Sequence, residues 1–173
     1  MANSDLPRTR PIGAWRVRPY SGGMTKWIDM PPVWLAGCLV LAWAQKTWLP
    51  SGLDLGEGWP GFLGGLLVGG GVILIALAAI EIRRHRTTII PHQEASSLVT
   101  SGIYRRSRNP IYLGDALILA GMIVYWEAVI ALALVPIFVW IIEMRFIVPE
   151  EDHLRRKFRM DFARYCQNTR RWV

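Results

Sequence analysis

Four apolar segments dominate the sequence, and they restrict the chain to folds made of long helices buried in protein or lipid. They extend over residues 32–49, 61–82, 111–125 and 128–148. A helix needs roughly 20 mostly apolar residues to cross a bilayer, with a range of about 17–25. The third segment is shorter, and only Trp126-Glu127 separates its helix from the fourth, so these two should form a tight antiparallel hairpin. The pattern predicts an all-α integral membrane protein with four transmembrane helices.

The composition agrees with one membrane domain. Hydrophobic residues make up 52% of the 173 residues, and the mean hydropathy is +0.25. This is too apolar for an ordinary soluble domain. We expect a polar, basic N-terminal arm over residues 1–30 and a single membrane domain over residues 31–173.

Basic residues are concentrated on one side of the predicted spans. Of the 20 Lys and Arg residues, all except Lys46 lie in three ranges: 1–30, 83–110 and 145–173. By the positive-inside rule, both termini and the loop before the third segment are expected to be cytoplasmic, in a bacterial inner membrane. The net charge of +7 therefore indicates topology and attraction to anionic lipids. We expect no nucleic-acid partner, because the basic residues lack interleaved aromatic residues.

Three local patterns refine this architecture. Gly61, Gly65 and Gly69 are spaced four residues apart, which predicts close packing against another helix. Pro136 lies in the middle of the fourth segment and predicts a kink there. No glycine-rich motif occurs between a strand and a helix, so no soluble Rossmann domain is expected. The three histidines lack the spacing of metal ligands, and no metal site is expected.

A helix should begin at Pro149 and continue along the membrane surface. Proline and the acids that follow it are typical of a first helical turn. Its apolar residues recur at helical spacing among basic ones: Leu154, Phe158, Phe162 and Tyr165. This predicts a C-terminal amphipathic interfacial helix, which could be an anchor, a lid over a site, or both.

Candidate site residues occur where predicted helices meet water. Arg108 and Asn109 directly precede Pro110, and an arginine at a helix N-terminus suits an anion. Asn109 could instead be only a helix cap, and Arg105 and Arg106 are interpreted as topogenic charges. After the fourth segment, Glu150 and Glu151 could hold an ammonium group or ribose hydroxyls.

Ionisable residues near the ends of the spans are a second group of candidates. Asp115 and Glu143 should lie at similar depth in the predicted hairpin, with Arg145 the nearest cation in the sequence. Such residues usually face a cavity or a partner. Structural pairing near the interface is the alternative interpretation.

Two motifs together resemble a known family. They are Gly102-x-Tyr104-x3-Arg108-x-Pro110-x-Tyr112-x-Gly114 and Arg145-x4-Glu150-Glu151-x2-Leu154. They are similar to motifs of the membrane isoprenylcysteine carboxyl methyltransferases and phospholipid N-methyltransferases, over approximately residues 80–173. Isoprenylcysteine enzymes typically have histidine where this chain has Asn109. The family glycine after Phe158 is Arg159 here, and a usual tyrosine is Phe162.

The resemblance implies a methyltransferase that depends on S-adenosylmethionine and has a cytoplasmic cofactor pocket. It implies that the acceptor is a lipid-like amphiphile. The cofactor would be enclosed by Gly102, Tyr104, Arg108, Asn109, Tyr112, Glu150 and Glu151. Residues close to the reaction would be Arg108, Arg145 and Glu150. If the acceptor is an amine, the candidate bases are Asp115, Glu143 and Glu150.

Three alternatives stay open at this point: a non-catalytic scaffold, a small transporter, and a nicotinamide-dependent reductase of related fold. The methyl acceptor and the oligomeric state are not predicted.

Overall fold

The computed structural model describes residues 30–49, 56, 58–85 and 98–173. The predicted N-terminal arm lies outside the described residues, except for Met30. The α-helices of the described ranges are α1 Pro31–Trp48, α2 Trp59–Arg84, α3 Pro110–Tyr125, α4 Leu134–Ile142 and α5 Val148–Asn168. No strand occurs in this part of the chain, which confirms the all-α prediction.

Three tighter or wider helical segments connect these helices. A 3₁₀ turn, Gly102–Arg105, precedes α3, and another, Val129–Ala133, leads into α4. A π-helical segment, Glu143–Ile147, joins α4 to α5, so residues 129–168 form one continuous helical stretch. Pro136 is the third residue of α4 and lies just after the 3₁₀ turn. A bend of the helix at this proline stays a prediction.

Two helical stretches are long and apolar enough to cross a membrane: Trp59–Arg84 and Val129–Asn168. Only 17% of the most apolar part of α2 is buried inside the protein. Large side chains such as Leu66 and Ile73 point outwards, with exposed fractions of 61% and 60%. A core helix of a soluble protein would bury such residues, so this surface indicates membrane association. Four crossings stay a prediction, because α3 has only 16 residues.

Glycines allow α2 and α3 to touch along their backbones. A Cβ added to Gly71 would lie 2.6 Å from the Gly114 carbonyl oxygen, and one added to Gly64 would lie 2.7 Å from the Gly121 carbonyl oxygen. Close approach through small residues was the predicted principle, but the predicted face was wrong. Nothing lies within 4 Å of a Cβ placed on any glycine of the predicted row: Gly61, Gly65 and Gly69.

The turn between α3 and the next helical segment is tight, as predicted. Glu127 adopts a positive φ of 54°, and the Ala128 N–H donates to the Ile123 carbonyl at 3.0 Å. Lys46 at the end of α1 pairs with Glu127 at 3.7 Å. The hairpin thus returns the 129–168 stretch to the end of the bundle at which α3 begins. The helix α2 ends there as well, and we call it the basic end.

A kink in α5 turns its second half back towards the bundle. Arg159 has φ 40° and ψ −106°, outside the helical region. Beyond it, Phe162 and Tyr165 are buried in the protein. This part of the predicted apolar face therefore packs on the chain itself, whereas Met160 is 73% exposed.

The Arg159 backbone conformation favours glycine, the residue at this position in the family that the sequence motifs resemble. Arg159→Gly should raise the free energy of unfolding by about 1 kcal/mol, because the strain of a side chain at positive φ is removed. Arg156→Gly, in the regular first half of α5, should lower it by about 1 kcal/mol. Thermal unfolding in detergent measures both variants, and a loss of stability in Arg159→Gly would contradict the assigned kink.

Candidate functional site

The loop before α3 is anchored on the end of α2. The Ser101 hydroxyl donates to Glu81 Oε1 at 2.5 Å. Gly102 has a φ of +57°, and a Cβ there would lie 2.7 Å from the Glu81 carboxylate. A larger residue would be strained at this φ and would have to displace the Glu81 carboxylate. The predicted site residue Gly102 thus has a conformational role in placing the loop.

Arg108 and Glu151 bring the two sequence motifs together at the basic end. Arg108 Nη2 lies 3.2 Å from Glu151 Oε1, with exposed side-chain fractions of 14% and 8%. The Arg108 Nε is buried and has no hydrogen-bond partner in the described part of the chain. A buried, unsatisfied donor on a charged group is costly. Arg108 therefore presents a donor to which an anionic group could bind.

The last five residues, 169–173, form a segment that we call the C-terminal tail, and the sequence analysis missed its role. Arg171 Nη2 and Nε donate to the two carboxylate oxygens of Glu151 at 2.7 and 3.2 Å. Arg171 also pairs with Glu143, whose other oxygen accepts from the Trp172 indole N–H at 3.2 Å. The hydrogen bonds to Glu151 and then to Glu143 raise the pKa of Arg171, so it stays charged.

A sequence signal for the tail contact did exist. Glu143 and Glu151 are eight residues, or about two helical turns, apart near the end of an apolar segment. Ionisable residues in such a position usually have a charged partner. The nearest arginine in sequence, Arg145, was considered, but the cation that the fold supplies is Arg171.

The tail backbone also holds the start of α3. The Arg108 N–H donates to the Arg170 carbonyl at 3.0 Å. The Asn109 amide donates to the Arg171 carbonyl at 3.2 Å, and the Ser107 hydroxyl donates to the same oxygen at 3.4 Å. Asn109 precedes α3, but its side chain does not cap the helix. Its amide N–H₂ is therefore used to bind the tail.

Glu150 lies beside the pair formed by Arg108 and Glu151, but it is engaged differently. Its nearest partner is the Tyr112 hydroxyl, 3.5 Å from Oε2, and it has no ion pair in the part of the chain that the structure describes. Its side chain is exposed to solvent, although nearby protein atoms partly desolvate the carboxylate. The surrounding protein raises the pKa of Glu150. A cation binding there would lower that pKa again.

Tyr104 also lies near Glu150. The Tyr165 hydroxyl of α5 donates to the Tyr104 carbonyl at 2.6 Å. Burial, and then the charge of Glu150, raises the pKa of Tyr104, which therefore stays a neutral hydrogen-bonding group. Predicted site residues Tyr104, Tyr112 and Glu150 thus lie together.

The remaining candidates differ in their surroundings. The Arg145 guanidinium lies over the Trp34 ring of α1, 5.7 Å from its centre. Asp115 is 8% exposed, and no hydrogen bond or ion pair involves it among the described residues. Glu143 is bound to the tail, so of these two acids only Asp115 has a carboxylate without a partner.

Two cavities flank the loop. One of about 680 Å³ lies against the second half of α5, with Arg105, Arg164 and Tyr165 in its wall. The other, of about 450 Å³, lies on the α2 side. Its walls are apolar at Leu77, Ile80 and Ile103 and basic at Arg84 and Arg106. Both volumes suit a small ligand or part of one. The walls of these two cavities include neither Arg108 nor Glu151.

Comparison with known proteins gives one match. The model of a family described as phospholipid methyltransferases matches residues 59–161. This range extends from the start of α2 to just beyond the kink in α5, and it includes both motifs but not the C-terminal tail. No curated protein is significantly similar to the chain, and no solved structure is either.

Proposed function

The chain belongs to the phospholipid methyltransferase family, and we propose that it transfers a methyl group from S-adenosylmethionine to an amphiphilic acceptor in the membrane. The family match confirms the resemblance to membrane methyltransferases. The main structural support is the Arg108–Glu151 ion pair, which joins the two motifs. The preceding residue, Glu150, forms a hydrogen bond only with the Tyr112 hydroxyl among the described residues, so its carboxylate is available to a ligand.

The residues at the basic end suit the charged groups of this cofactor. Glu150 would accept hydrogen bonds from its ammonium group or ribose hydroxyls. Arg108, with its unused buried Nε, would donate to its carboxylate. The neutral hydroxyls of Tyr104 and Tyr112 would complete the polar wall beside Glu150.

When bound, S-adenosylmethionine would supply the methyl group of its sulfonium: an acceptor nitrogen or oxygen would bond to the methyl carbon as the carbon–sulfur bond breaks, with S-adenosylhomocysteine as the leaving group. The protein's contribution is chiefly alignment and exclusion of water. A carboxylate acceptor needs no base, whereas a protonated amine must first lose a proton. Asp115 could accept that proton, because its carboxylate is buried and has no partner among the described residues. This favours an amine acceptor.

The groove on the α2 side supports an amphiphilic acceptor. Acyl chains could lie against Leu77 and Ile80, and an anionic head-group phosphate could approach Arg84 and Arg106. Gly102 lines the same groove and lies two residues from Tyr104. A lipid could thus enter from the bilayer while the soluble cofactor enters from water. We propose four membrane crossings with both termini cytoplasmic, as the distribution of basic residues predicts.

Methyl transfer from labelled S-adenosylmethionine into a lipid extract tests the function. Inside-out membrane vesicles that contain the protein should label a lipid, whereas right-side-out vesicles should not, because the charged cofactor does not cross the bilayer. A label that survives mild alkali at the head group indicates N-methylation, and label released as methanol indicates a methyl ester. Absence of labelled lipid, together with no binding of the cofactor to purified protein, would refute the proposal. Labelling only in right-side-out vesicles would reverse the orientation.

A further inference from the structure

The C-terminal tail connects both halves of the candidate cofactor site, although it lies outside the range that matches the family. Arg171 binds Glu151 with two hydrogen bonds and also pairs with Glu143. The carbonyls of Arg170 and Arg171 accept hydrogen bonds from Arg108 and Asn109. One short segment therefore contacts the start of α3, the π-helical segment and the first turn of α5.

We propose that Arg171 is a positioning residue, which fixes Glu151 and through it the guanidinium of Arg108 in the orientation that binds the cofactor. This inference rests on the proposed function and assigns different roles to the two adjacent glutamates. Glu151 has two arginine partners, Arg108 and Arg171, so its negative charge is already matched. Glu150 has no arginine partner among the described residues, so it is the carboxylate available to a cationic ligand.

The geometry explains why two arginines are needed on one carboxylate. Arg108 uses a single nitrogen on Glu151, at 3.2 Å, and one contact of this kind does not by itself fix the plane of the guanidinium. Arg171 uses two nitrogens on both carboxylate oxygens, and a planar fork of this kind fixes the plane of the carboxylate. Once the carboxylate plane of Glu151 is fixed, the position of the oxygen that accepts from Arg108 is fixed as well. The tail therefore sets the orientation of the Arg108 guanidinium, including its Nε, without touching the ligand itself.

Further contacts keep Arg171 in place. The Glu143 carboxylate pairs with Nη1 of Arg171 and also accepts a hydrogen bond from the Trp172 indole N–H. Thr169, at the start of the tail, is 6% exposed, and its N–H donates to the Tyr165 carbonyl at 3.0 Å. The tail is thus fixed at both ends of Arg171, as expected for a positioning element.

The test compares Arg171→Lys and Arg171→Gln with Arg170→Gln, an adjacent exposed arginine whose contact with the loop is made by its backbone. Lysine keeps the charge but loses the two-nitrogen fork. Calorimetry should show S-adenosylhomocysteine binding weakened about tenfold in Arg171→Lys and more in Arg171→Gln. In turnover assays the KM for S-adenosylmethionine should rise, whereas the KM for the acceptor should not. Arg170→Gln should resemble the wild type in both assays.

Each other outcome has a defined meaning. Wild-type affinity in both Arg171 variants would overturn the inference. Failure of both variants to fold, seen as loss of the thermal transition, would make Arg171 a structural anchor and would also overturn it. Failure of the wild type to bind S-adenosylhomocysteine would instead refute the proposed function, whatever the Arg171 variants do.

Discussion

Gly114→Leu is expected to force α3 away from α2 and to lower the free energy of unfolding by about 3 kcal/mol or more. Overpacking a well-packed contact typically costs about 1–3 kcal/mol. Here the atoms in the way are backbone and rigid side chain: a Cβ on Gly114 would lie 2.7 Å from the Gly71 carbonyl oxygen and 2.6 Å from Ile75 Cγ1. Neither can move unless the helices separate. Because α3 also positions Tyr112 and Asp115, activity should be lost together with stability.

Gly65→Leu is the matched control, since it adds the same side chain to α2 where nothing lies within 4 Å. It should be stable and active. Thermal unfolding in detergent and methyl transfer measure both variants. A stable Gly114→Leu protein, or equal damage from Gly65→Leu, would show that the contact between α2 and α3 is assigned to the wrong face.

Glu150→Ala and Glu151→Ala should differ in their effect on stability, although the residues are adjacent. Glu151→Ala removes the carboxylate shared by Arg108 and Arg171, and breaking a buried ion pair costs about 3–5 kcal/mol. The lower value is expected, because Arg171 keeps Glu143. Glu150→Ala breaks no ion pair and should unfold near the wild-type temperature. It should weaken S-adenosylhomocysteine binding by about 1.5–3 kcal/mol, the range for a hydrogen bond to a charged group.

Thermal unfolding and calorimetry separate the two roles. Asp152→Ala is the control for both variants, because Asp152 is an exposed acid of the same turn whose partner, Arg155, is also exposed. It should change neither stability nor affinity. Full cofactor affinity in Glu150→Ala would remove Glu150 from the binding site. A wild-type transition in Glu151→Ala would show that the ion-pair cluster contributes little to stability.

The helical architecture could be predicted because hydrophobicity along the chain determines it. Apolar segments of helical length became helices with bounds close to those predicted, and the tight turn at Trp126-Glu127 is present. The glycine face was not predictable in the same way. Glycines occur on several faces of α2, and only the position of α3 makes Gly64 and Gly71 the glycines that contact it. The 3₁₀ turn before α4 was likewise not evident from periodicity.

At the candidate site, too, some features could be predicted from the sequence and others could not. The sequence indicated Arg108, Tyr112, Glu150 and Glu151, because charged and aromatic residues beside apolar helices are costly unless they have partners or ligands. It could not distinguish Glu150 from Glu151, which are chemically identical neighbours.

The sequence by itself therefore determined the helical class, the family and the residue types at the site. These depend on hydropathy and on short motifs, both of which are local properties of the chain. The tertiary structure alone decided which carboxylate is paired, which glycines are in contact, and that Arg171 lies 2.7 Å from Glu151. Those facts depend on where the ends of the helices meet, and in particular on the return of the tail to the start of α3. A contact between residues far apart in sequence exists only once the helices have packed.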